Sequence, residues 1–179
     1  MGLLRKTIEA GVRAAVAFAR RQGGSPAVEF ALVAPIFIVL IFATAQVAII
    51  YLANAYLETA AEEAARLVLT NQATSMTASQ FQTALCGNIT TLFTCNNVMV
   101  NLAPATSDTS IVTAAPPFNS NGTLKNALTY TQPTPGQIAV LQVIYQWPVI
   151  GLPLGWNFAN LGNGTYLMMS TQVFIVEAQ

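Results

Sequence analysis

The chain contains no histidine, a single aspartate (Asp108), two cysteines and few charges of either sign, with seven Lys and Arg against seven Asp and Glu in 179 residues. Lack of histidine removes the Ser/His/Asp and Cys/His nucleophile arrangements and the commonest general base. Two cysteines with no imidazole to help them leave a tetrahedral metal site incomplete, so no metal is expected. The adjacent acids Glu62 and Glu63 fall on what reads as a solvated helix face, which leaves no carboxylate pair for hydrolytic chemistry. No glycine-rich phosphate loop occurs, and residues 25–179 lack a basic patch, which argues against nucleic acid as a partner. Charge at 8%, roughly a third of the usual ~25%, is too little for a coiled coil or a charged disordered tail, and argues against a freely soluble cytosolic protein. No catalytic residue and no cofactor are expected.

What the chain does have is unevenly placed. Residues 1–24 carry Arg5, Lys6, Arg13, Arg20 and Arg21 against Glu9, a charge of +4, while residues 25–179 carry Arg66 and Lys125 against six acids, a charge of −4. Between the basic head and the acidic body, Phe30 to Leu57 contains no charge at all. Its most apolar part, Phe30 to Ala53, makes a helix of about 36 Å, enough to cross a ~30 Å hydrocarbon core with modest tilt. The excess of basic residues before it places the N-terminus in the cytoplasm and residues beyond about 54 outside. A secretory signal peptide is the competing reading, since Ala43-Thr44-Ala45 has the small-x-small form of a cleavage site. The apolar run, however, continues through Val47, Ile49, Ile50 and Leu52, where a secreted N-terminus would turn polar.

Helical periodicity persists past the span. Over residues 54–70, Leu57, Ala60, Ala61, Ala64, Leu67 and Val68 form one stripe, with Glu58, Glu62, Glu63 and Arg66 on the other face. The spacing predicts one helix over residues 25–70, ended near Asn71. A second helix is predicted from Thr77, where Thr77 and Gln80 have capping-box spacing ahead of Phe81, Ala84 and Leu85. Apolar alternation then predicts strands at residues 97–102, 137–147 and 166–176. In the middle one, Ala139, Leu141, Val143, Tyr145 and Trp147 share a face, Gln142 and Gln146 lie on the other, and Pro148 ends the strand or bends it. Residues 149–165 read as a wide connection that brings Trp156 and Phe158 against the sheet. Residues 103–136 have turn and loop composition, with room for a strand at Ile111-Val112 or a helical turn from Leu124 to Leu128. The fold class is α+β: a long transmembrane helix running into a small extracytoplasmic domain with an antiparallel sheet, one face of which the emerging helix covers. The expected divisions are a basic leader at 1–24, the helix at 25–70 and the α+β domain at 71–179.

Cys86 and Cys95 both fall on the side assigned to the outside, where a disulfide is the natural state; two buried thiols are the alternative if the topology is inverted. Glu29 stands at the membrane entrance. One account is a carboxylate at head-group level that needs no partner. In the other, the chain is cut after Gly24, Ser25 supplies the new amine, and Glu29 neutralises the ammonium of a neighbouring helix and so sets axial register. Pro35 removes a helix hydrogen bond and predicts a kink or a melted turn. Thr44 and Gln46 are polar within the span, either simply tolerated there or hydrogen-bonded to a partner helix. Three Asn-x-Thr triplets, at Asn88, Asn121 and Asn163, match the glycosylation pattern only at the level of chance.

The stretch GGSPAVEFALVAPIFIVLIFATAQVAIIYLANAYLETAAEEAARLVLT resembles the N-terminal signature of the TadE-like family, minor pseudopilins of tight-adherence (type IVc) pili. Gly24, Glu29, Phe30, Pro35, Ala64, Ala65 and Arg66 carry the resemblance. It implies cleavage by a prepilin peptidase between Gly24 and Ser25, and assembly roles for Glu29, Phe30 and Pro35. The implied partners are other pilins and pseudopilins, an inner-membrane assembly platform and the lipid bilayer. The implied location is the bacterial inner membrane with the C-terminal domain periplasmic, extending to an extracellular pilus on incorporation. Pro26 departs from the small residue expected second after the cut, although proline suits the first turn of a helix.

Overall fold

The computed structural model describes residues 26–87, 89–105, 107, 111–151 and 153–178. Helix α1 spans Pro26–Leu69 and helix α2 spans Ala78–Cys86; strands β1 (Met99–Ala105), β2 (Ile138–Pro148) and β3 (Thr165–Ile175) follow. The chain divides between Phe42 and Ala43 into two units. The first holds the early part of α1; the second holds the rest of α1 with α2 and the sheet.

α1 begins at Pro26, where a missing N–H costs nothing, and ends at Asn71, whose φ of 60° turns the chain out of the helix. The stop is closed by backbone bonds from Thr70 to the Arg66 carbonyl and from Ala73 to the Leu67 carbonyl, at 3.0 and 3.1 Å. α2 is capped as its sequence predicts. Gln80 N–H donates to Thr77 Oγ1 at 3.3 Å, and Thr77 N–H donates to Gln80 Oε1 at 2.9 Å. Phe81, Leu85 and Cys86 are its buried residues, while Ala84 is exposed.

The sheet is an antiparallel meander in the order β1-β2-β3. Leu102 lies opposite Leu141, and Tyr145 opposite Met168. These face the later half of α1, where Ala53, Leu57, Ala60, Ala61, Ala64 and Val68 are buried together with Ala139, Leu141 and Val143. The alanines let the helix lie close to the strands, and each fully buried Leu or Val contributes about 1.5–3 kcal/mol. Trp147 is only partly buried at the end of this face, beside Phe93 and Tyr145 in an aromatic cluster.

β2 is covered on both sides. Val140, Gln142 and Ile144, on the face away from the helix, are also buried. Part of their cover is the segment over residues 111–136, which contains neither a strand at Ile111-Val112 nor a helical turn at Leu124 to Leu128. It is an irregular strap, tied by isolated bridges between Phe118 and Leu124 and between Tyr130 and Leu102. Its backbone carbonyls, at Val112 and Ala114, accept from Gln142 Nε2 at 3.3 and 3.1 Å, which is why no regular ladder is needed there. The 149–165 connection also departs from expectation: Phe158 packs against the core, but Trp156 is 44% exposed.

Candidate functional site

The described residues contain no cluster of metal-ligating side chains, and the most exposed apolar surface lies on α1. From residue 26 to 42 the helix exposes most of its apolar side chains, including Phe30 (74% exposed), Leu32, Val33, Ile36 and Phe37, while Val39 is buried. A helix apolar on every side belongs in lipid or among other apolar helices, and α1 is long and apolar enough to cross a membrane.

The expected site residues fall on this element as follows. Glu29 is exposed in the first turn, where a carboxylate complements the unpaired N–H groups of the helix start. Phe30 follows it on the surface. Pro35 lies inside the helix, and the turn around it is helical, not melted. The lost bond is a single one, which membrane helices tolerate. Gly24 and Ser25 lie outside the described residues. Gln46 is half-buried, and its Nε2 has no hydrogen-bond partner among the described residues. A buried amide donor without an acceptor within an apolar run costs free energy.

In the domain, Cys86 and Cys95 form a disulfide, with 5.7 Å between their Cα atoms. It joins the end of α2 to the 3-10 turn Cys95–Asn97 that leads into β1. Gln82 secures the same junction, its Nε2 donating to the Cys95 and Val98 carbonyls at 2.9 and 2.6 Å. Two of the Asn-x-Thr triplets have a conformational explanation. In both Asn121-Gly122-Thr123 and Asn163-Gly164-Thr165 the Asn Oδ1 accepts from the Thr N–H and hydroxyl, and the glycine between them adopts φ 80°.

Sequence reasoning missed one arrangement, a groove between α1 and the β2–β3 connection lined by Tyr51, Asn54, Glu58, Phe158 and Tyr166. The only local signal was the helical spacing of Tyr51, Asn54 and Glu58 on a face away from the alanine stripe.

The geometry defines a chain with a long apolar helix whose later half is the packing partner of a small disulfide-bonded sheet domain. Residues 24–66 match the family model described as TadE-like protein, the family whose signature the sequence resembles. The match suggests involvement in tight-adherence pilus assembly. Among curated proteins and solved structures, none matches the chain.

Proposed function

We propose that this chain is a minor pseudopilin, a structural and not an enzymatic subunit required to assemble a tight-adherence type pilus. The reading is carried by one coincidence: the TadE-like match begins at Gly24 and runs along a helix whose early part exposes most of its apolar side chains. In this reading residues 1–24 are a basic cytoplasmic leader, 25–70 the membrane helix and its continuation, and 71–179 a periplasmic domain. A prepilin peptidase cuts after Gly24. Ser25 then carries the new amine and Glu29 becomes the fifth residue of the mature chain. Its carboxylate pairs with the ammonium of a neighbouring pilin or pseudopilin, and a register error leaves both charges unpaired. Pro35 weakens the ladder in the span and eases extension of the helix on leaving the bilayer for the filament.

The intact mass of the protein extracted from membranes tests this reading. Loss of residues 1–24 is the expected result. Full length would favour an uncleaved, membrane-anchored periplasmic scaffold or adhesin, and loss of residues 1–45 a secreted domain.

A further inference from the structure

Beside α1, where the uncharged run ends, lies a groove of about 540 Å³. One wall is a single helix stripe, Val47, Ile50, Tyr51, Asn54 and Glu58, at spacings of three and four residues. The other is Phe158 and Tyr166, from the β2–β3 connection and the start of β3. Along the stripe polarity changes in one direction, from two aliphatic side chains through a phenol and an amide to a carboxylate, over about 16 Å of helix. Only two basic side chains occur among the described residues, Arg66 and Lys125, and neither lines the groove. Among the described residues no basic side chain meets Glu58 in the groove, which leaves its carboxylate available to the cation of a bound ligand.

We propose that this groove binds a membrane lipid whose head group carries a primary ammonium, phosphatidylethanolamine, with an acyl chain along Val47 and Ile50 and the ammonium at Glu58. The proposal rests on the membrane-anchored reading above. Val47 and Ile50 belong to the uncharged run from Phe30 to Leu57, so a lipid chain reaches the groove along continuous apolar surface. If the tilted span from Phe30 to Ala53 fills the hydrocarbon core, Glu58 stands about 7 Å beyond it, at head-group level. Three aromatic rings, Tyr51, Phe158 and Tyr166, line the space in which a cation gains from ring faces as well as from the carboxylate. The connection that supplies Phe158 also exposes Ile150 (77%) and Trp156 (44%), side chains suited to a membrane–water interface. An anionic lipid is disfavoured, since Glu62 and Glu63 follow one turn beyond Glu58 and the body carries a charge of −4.

The test uses the full chain in nanodiscs containing equal amounts of phosphatidylethanolamine and phosphatidylglycerol, with native mass spectrometry of the lipids retained on ejection. Phosphatidylethanolamine is expected to be retained in preference. Glu58→Gln should lower its retention about fivefold, while Glu62→Gln, a control outside the groove, should not. Brominated phosphatidylethanolamine should likewise quench tryptophan fluorescence more than brominated phosphatidylglycerol. Equal retention of the two lipids, or retention unaffected by Glu58→Gln, overturns the proposal. So does a copurifying protein whose lysine crosslinks to Glu58 while lipid is absent. Carbonate extraction separates the two failures. A chain released by carbonate sinks the anchored reading itself, whereas a chain that stays in the membrane without lipid preference sinks only the lipid site.

Discussion

Asn71 and Glu177 are bound to each other's neighbourhood at opposite ends of the domain sequence: Asn71 Nδ2 donates to the Glu177 carbonyl at 3.0 Å, and Glu177 N–H donates to the Leu69 carbonyl at 3.0 Å. The end of the chain thereby supplies a donor to a helix terminus whose carbonyls lack intrahelical partners. Asn71 does this from φ 60°, a conformation that asparagine tolerates and β-branched residues resist. Asn71→Val is expected to destabilise the protein by about 1–3 kcal/mol. Asn71→Gly keeps the backbone angle, loses only an exposed hydrogen bond, and should cost less than about 1 kcal/mol. Thermal unfolding of the full chain in detergent should rank wild type and Asn71→Gly well above Asn71→Val.

Gln142 is the side chain through which the sheet holds its strap. Its Oε1 accepts from Asn101 Nδ2 at 2.9 Å, its Nε2 reaches the Val112 and Ala114 carbonyls, and Asn101 Oδ1 accepts from Thr129 N–H at 2.8 Å. Gln142→Leu conserves volume roughly but leaves the Asn101 amide and the two carbonyls without this partner. The expected cost is about 1–3 kcal/mol. Hydrogen exchange should accelerate in residues 111–117 while β2 and β3 remain protected.

These two positions also show where the sequence stops being informative. The alanine stripe, the Thr77–Gln80 cap, the three strands and the cysteine pair were legible because each is written in local spacing: a period of 3.6, a period of 2, or a capping residue three positions from its partner. The strap was not. It is held by backbone carbonyls of Val112 and Ala114, which carry no side-chain signature, and by a glutamine on the face opposite the apolar one. Of the candidate site, the apolar run containing Phe30 and Pro35 was legible from composition. The groove was not, since Phe158 and Tyr166 meet Tyr51 and Glu58 across about a hundred residues of chain, and nothing in one segment anticipates the other.

Tyr130 gives the domain an alkaline limit. Its ring contacts Phe81 at 5.7 Å, and its hydroxyl accepts from Gln132 Nε2 at 2.7 Å and lies 3.4 Å from the Met76 carbonyl. Burial raises its pKa above the ordinary 10.0, opposed in part by the Gln132 hydrogen bond, which favours the phenolate. A group with a raised folded-state pKa contributes stability that is fully present below the unfolded value and is lost as pH rises through the folded one. Wild-type stability should therefore fall as pH passes 10 and rises further, through ionisation of this phenol. Tyr130→Phe, which has no proton to lose there, should be less stable at neutral pH for want of the hydroxyl but show a shallower alkaline decline. Melting temperatures of both proteins from about pH 8 to about pH 11 measure the difference. Parallel slopes would remove Tyr130 from the account.

Glu29 provides the sharpest functional prediction, because its charge is dispensable for folding and required for assembly under the proposed function. It stands exposed in the first turn of α1, in the unit that excludes the sheet domain, so Glu29→Ala should leave domain stability unchanged. Insertion and removal of residues 1–24 should also proceed, since the apolar run and the Gly24–Ser25 junction are untouched. Packing beside a neighbour is different. Without the carboxylate, an adjacent ammonium enters low dielectric unpaired, and removing one partner of such a pair is expected to lower incorporation on the order of a hundredfold. Glu29→Asp, which keeps the charge on a shorter arm, should recover part of the loss. Intact mass of the membrane-extracted variants together with immunoblots of sheared pili separates these steps; Glu29→Ala cells with normally incorporated, normally processed subunit would show that the charge sets no register.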